Sequence, residues 1–81
     1  MRVLSTPLLC DECKQPIERY SEGMVEWIED NEAVRDVRIV HNPSFSPRGD
    51  CYKHTKEYHR QENHLTVVLS DQGLRKKLGL V

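Results

Sequence analysis

Three cysteines and one histidine fall into two close pairs along the chain: Cys10 and Cys13, then Cys51 and His54. Each pair is spaced C-x2-C or C-x2-H, and 37 residues separate them. Thiolate and imidazole are the donors a tetrahedral zinc ion takes, and two local pairs brought together by the intervening chain are the usual way a structural site is assembled. Soft thiolates with imidazole favour zinc over the harder divalent cations. Cys10, Cys13, Cys51 and His54 are therefore the expected ligands, and zinc the expected cofactor. His41 competes for a ligand position, because it ends an apolar stretch that can return beside the first pair. Otherwise it supports the ligands or fills a core position. Two alternatives remain open: a C-x2-C can be a redox pair, and Cys51 can be a buried free thiol. The redox reading lacks a βαβ pattern around the pair and leaves Cys51 without a role. His59 and His64 read as surface residues.

The elements that must position these side chains follow from periodicity and turn residues. Met1 to Leu9 is a short leader able to form an edge strand that Pro7 ends or bends. Cys10-Asp11-Glu12-Cys13-Lys14-Gln15-Pro16-Ile17 reads as a zinc knuckle, a turn whose N–H groups point at thiolates. Glu22 to Asp30 and Ala33 to His41 alternate as strands, and Asp30-Asn31-Glu32 is a polar break of hairpin length. In the second strand the alternation sets Val37, Ile39 and His41 on one face. Asn42 to Gly49 holds two prolines and a glycine and reads as a loop. Cys51 to about Glu62, free of Gly and Pro, reads as a short helix capped by Asp50, with Cys51, His54 and Tyr58 on one face. His64 to Leu69 reads as a strand. Ser70 is the expected cap of a final helical turn or two from Asp71 to Leu78. The expected fold is α+β and zinc-stabilised, with residues 1–81 as one domain.

A chain of 81 residues with 37% apolar and 6% aromatic residues has a marginal core, and a metal is one way to complete it. Net charge is −1, so no bulk basic footprint draws it to nucleic acid. The charge is uneven: residues 1–40 hold five Lys/Arg against nine Asp/Glu, and residues 41–81 hold seven against four. Arg48, Lys53, Lys56 and Arg60 form a basic strip that can contact anions, with Tyr52 and Tyr58 placed to stack on bases. The plain alternative is a solvated surface of mixed charge. No apolar run approaches the roughly 18 residues of a membrane span, and Met1 to Leu9 lacks a signal peptide's apolar run. A cytoplasmic location is expected, in keeping with an odd number of thiols.

Knuckle, hairpin and ligands at a helix start, in that order, resemble the treble-clef zinc fold over Cys10 to Glu62. The run Ile39-Val40-His41-Asn42-Pro43 followed by Cys51-Tyr52-Lys53-His54 is similar to small uncharacterised bacterial or phage zinc proteins. With four ligand positions filled, the metal is structural, and the expected role is interaction with a protein or nucleic acid without catalysis. The HNH nucleases also use a treble clef. That resemblance implies His41 as a general base, with His59 or His64 holding a divalent cation, but Val40 stands where an Asp is expected. A catalytic zinc with three ligands and Glu12 as base lacks any H-E-x-x-H pattern.

Overall fold

The computed structural model describes residues 4, 7–31, 33–47, 49, 51–53 and 60–80. Its frame is an antiparallel sheet of three strands, β3 (Gly23–Asp30), β4 (Ala33–His41) and β5 (Arg60–His64), in the order β4-β3-β5. Two short strands, β1 (Leu8–Leu9) and β2 (Pro16–Ile17), pair separately around the knuckle, and a 3-10 turn at Tyr20–Glu22 leads into β3. Two helices follow the sheet, α1 (Leu65–Ser70) and α2 (Gln72–Lys77). The architecture is α+β, and among the described residues no helix is long and apolar enough to cross a membrane.

The hairpin forms where the alternation places it. Asn31, at φ +49°, takes the left-handed turn position that Asn tolerates. The register then shifts. Glu26 lies opposite Arg38 and Ile28 opposite Arg35, so Asp36 and Val37 together face Trp27 alone. This β-bulge, with Asp36 at φ +53°, moves every later residue of β4 by one position against β3. His41 consequently ends opposite Gly23. Gly23 has no room for a side chain: a Cβ there would sit 2.6 Å from Leu65 Cδ2 and 3.1 Å from Leu65 Cβ. Leu65 is fully buried, so it has little freedom to yield. Gly23→Ala is expected to destabilise the fold by about 1–3 kcal/mol through overpacking. A chemical-denaturation midpoint unchanged from wild type would contradict this contact.

Three expectations about the second half are corrected. Arg60, Gln61 and Glu62 belong to strand β5, not to a helix begun at Cys51. Cys51 lies in a bend, Tyr52 and Lys53 are not helical, and the rest of the expected helix, residues 54–59, lies outside the described residues. Arg60 to His64 pair with Ile28 to Met24, satisfying an edge of the sheet that would otherwise be open. The apolar stretch after His64 is helix α1 rather than a strand. Leu65 and Val68, three apart on one helical face, are both fully buried. Asp71, not Ser70, caps α2, its carboxylate accepting from Leu74 N at 3.0 Å. The Ser70 hydroxyl donates instead to Val67 O.

Helix α2 ends in a Schellman turn. Gly79, at φ +71°, donates to Lys76 O, and Leu80 N donates to Arg75 O. This turn carries Leu80 back into the core with Leu78. There they join Leu8, Ile17, Met24, Val25, Trp27, Ile39, Val40, Leu65 and Val68. Cys10 and Cys51 belong to the same buried cluster.

Candidate metal centre

The knuckle is shaped by its own backbone. Leu8 pairs with Ile17 and Leu9 with Pro16, closing the loop between them. Cys10 N donates to Gln15 O at 2.9 Å and Lys14 N to Cys10 O at 3.0 Å. Lys14 takes a φ of +66° to complete the turn. The turn aims Cys13 N at the Cys10 sulfur, 3.5 Å away. Asp11 docks this loop onto β4 by two bonds: its N–H donates to Ile39 O, and its carboxylate accepts from Ile39 N, both at 2.7 Å. Ile39 lies two residues before His41, so this docking sets the histidine beside the knuckle.

His41 is buried and both its ring nitrogens are engaged. Nδ1 lies 3.4 Å from Cys13 Sγ and 3.9 Å from Cys51 Sγ. Nε2 lies 3.1 Å from Pro16 O, the geometry of an Nε2–H donating to that carbonyl. Such a bond leaves Nδ1 unprotonated and facing the thiols, able to act as a donor. Cys51 is returned to this point by the loop after His41. Asn42 anchors the loop, donating through its side chain to Ser21 O and through its backbone to Glu22 O. Ser46 Oγ accepts from Cys51 N at 3.1 Å.

Cys10, Cys13, His41 and Cys51 thus converge, with their donor atoms all within 4.8 Å of one another. A tetrahedral site with bonds of ~2.3 Å to sulfur and ~2.0 Å to nitrogen has donor–donor edges of about 3.5–3.8 Å. The two distances from His41 Nδ1 match such edges to within a few tenths of an ångström. These four residues are positioned to hold a metal ion. No family model, curated protein or solved structure matches this chain. The centre is therefore read from its geometry, and the resemblance to bacterial or phage zinc proteins gains no support from relatives.

The thiols are electrostatically unequal. Burial acts to raise Cys10, but N–H groups of Cys13, His41 and Glu12, with the Cys13 thiol, outweigh it and bring the group down to about 7. Burial pushes Cys51 up to about 12; the Ser46 hydroxyl acts against this, while Cys13 and Cys10 add to it. One thiolate is thus accommodated by the backbone, and a further charge beside it is resisted. A bound dication reverses that resistance, because each thiolate then faces a positive charge.

A polar strut beneath the centre was not legible in the sequence. Glu26 is fully buried on β3, directly opposite Arg38. Arg38 donates through one terminal nitrogen to Glu26 at 2.9 Å, and through the other to Glu12 at 2.6 Å and to Cys51 O at 3.3 Å. The second Glu26 oxygen accepts from Lys53 N at 2.7 Å. Glu12 lies between the two knuckle cysteines, so one guanidinium ties the knuckle, β4 and the Cys51 loop together.

Of the other expected site residues, only Lys53 and Arg60 are among those described. His54, Arg48 and Lys56 lie outside the described residues. Lys53 is half-buried and engages Glu26 through its backbone. Arg60 is buried, its guanidinium bonded to the Asp36 carboxylate and carbonyl, so its charge faces inward. That bond holds the Asp36 carboxyl below its ordinary value, against the opposing effect of burial.

Proposed function

We propose that this chain is a structural-zinc module whose ligands are Cys10, Cys13, His41 and Cys51. The observation that carries the reading is the orientation of His41, with Nδ1 turned to the thiols and Nε2 held by Pro16 O. Three thiolates with one imidazole suit zinc, and four protein donors leave no position for a catalytic water. The ion's binding energy then contributes directly to folding a small core. The role that follows is interaction, with the metal holding a surface in shape. A protein partner is favoured over nucleic acid, because Arg60, one of four expected anion contacts, is spent on Asp36. Exposed Tyr20 and Phe45 supply apolar surface for it. A reducing compartment such as the cytoplasm suits three free thiols.

The treble-clef likeness enters this proposal only through the knuckle and hairpin. The HNH-like reading needs His41 as a general base, and both of its ring nitrogens are already engaged. Purified protein is accordingly expected not to nick plasmid DNA with magnesium or manganese.

The deciding test compares His41→Ala with His54→Ala by native mass spectrometry. Wild type and His54→Ala are expected to carry one zinc per chain and His41→Ala to lose it. Retention by His41→Ala with loss from His54→Ala would transfer the ligand role to His54.

A further inference from the structure

The four donors are not equally sheltered. Cys10 is 0% exposed, Cys51 1% and His41 4%, whereas Cys13 is only half-buried. Cys13 also opens on a cleft of about 520 Å³ formed by Pro16, Glu18, Glu22 and Pro47, with His41 at its inner side. This cleft is wide enough for a small reagent to reach Cys13 while Cys10 and Cys51 stay enclosed in the core cluster. Behind Cys13 stands a second thiol: Cys13 N points at Cys10 Sγ, and the two sulfurs lie within 4.8 Å. An accessible thiol backed by a buried neighbour is the arrangement in which oxidation begins at one sulfur and is completed by the other.

We propose that Cys13 is a modification site for a small peroxide arriving through the cleft, and that Cys10 resolves it. This inference rests on the zinc reading above. In the first step the Cys13 thiolate attacks one peroxide oxygen, the O–O bond breaks, hydroxide leaves and Cys13 becomes a sulfenic acid. In the second, the Cys10 thiolate attacks the Cys13 sulfur, the S–O bond breaks and a second hydroxide leaves. Two thiolates are oxidised to one Cys10–Cys13 disulfide, and one hydrogen peroxide is reduced to two hydroxides. His41 and Cys51 alone are then too few donors to retain the metal. Metal occupancy, and with it the fold, thereby becomes sensitive to peroxide and recoverable by a thiol reductant.

The test begins with zinc-loaded wild type whose one-zinc stoichiometry is verified by native mass spectrometry. Absence of zinc at that stage refutes the zinc reading; the steps that follow address Cys13. Hydrogen peroxide is added and zinc release followed with a chromophoric chelator, with disulfides mapped by peptide mass. Zinc release with a Cys10–Cys13 disulfide, reversed by dithiothreitol and zinc, is expected. Cys13→His, which keeps a four-donor set, should release zinc at least about tenfold more slowly. Release at the wild-type rate from zinc-loaded Cys13→His, or a first disulfide involving Cys51, would overturn the assignment. Should that variant fail to take up zinc, substoichiometric N-ethylmaleimide on the zinc-loaded wild type decides. First labelling at Cys13 supports the proposal, and first labelling at Cys10 or Cys51 refutes it.

Discussion

Cys10→Ser is expected to abolish both metal binding and the native fold. Cys10 is fully buried, accepts from knuckle N–H groups and sits in the core cluster with Leu8 and Ile17. A serine hydroxyl does not ionise to replace the thiolate, so the ion loses one donor of four. Structural zinc contributes on the order of 10 kcal/mol or more to the folding of small domains. A core of this size supplies only about 3–5 kcal/mol without it. Losing the metal therefore exceeds what the rest of the chain can offset. Amide correlation spectra of the variant should collapse to the narrow dispersion of an unfolded chain, and a strong chelator should do the same to wild type. A well-dispersed spectrum from the zinc-free variant would show that the fold stands without its metal.

Arg38→Ala is expected to cost about 3–5 kcal/mol, the usual consequence of stranding one member of a buried ion pair. Its guanidinium is the partner of Glu26, which has no exposure, and it also donates to Glu12 and Cys51 O. Removing it leaves the Glu26 carboxylate buried without that cation and releases the knuckle from the Cys51 loop. Replacing both members, as Arg38→Met with Glu26→Leu, should cost less than Arg38→Ala alone, because no charge is then stranded. Urea denaturation of the zinc-loaded proteins measures the difference. Equal losses in the single and double variants would mean that the strut acts only by filling space. Zinc should also leave the single variant faster than wild type, since the loops carrying Cys13 and Cys51 are no longer braced.

The strut also explains why part of the centre could not be read from the chain. An unbroken ladder running back from the Asp30–Ala33 pair would set Glu26 opposite Val37 and Gly23 opposite Val40. The bulge at Asp36 and Val37 moves these partners to Arg38 and His41. Nothing in the local alternation announces that shift. Glu26 and Arg38 have the look of solvent-face residues until the register brings them together under cover.

The sequence by itself determined the knuckle, the hairpin and the three thiols. These depend on contacts between near neighbours: a C-x2-C turn closing on its own backbone, and alternating strands joined across Asn31. Small size and a low apolar fraction also raised the expectation of a constraint such as a metal. Tertiary structure brought His41 to the thiols, through Asp11 docked on Ile39 and the one-residue shift of β4. It likewise decided that Arg60 to Glu62 form a strand and Leu65 to Ser70 a helix. The polar segment 60–64 is weakly committed by composition, and the open edge of β3 draws it into the ladder. Leu65 and Val68 then have an apolar surface to bury on one helical face. Local patterning sets what a segment can form; the partners that reach it set which form it takes.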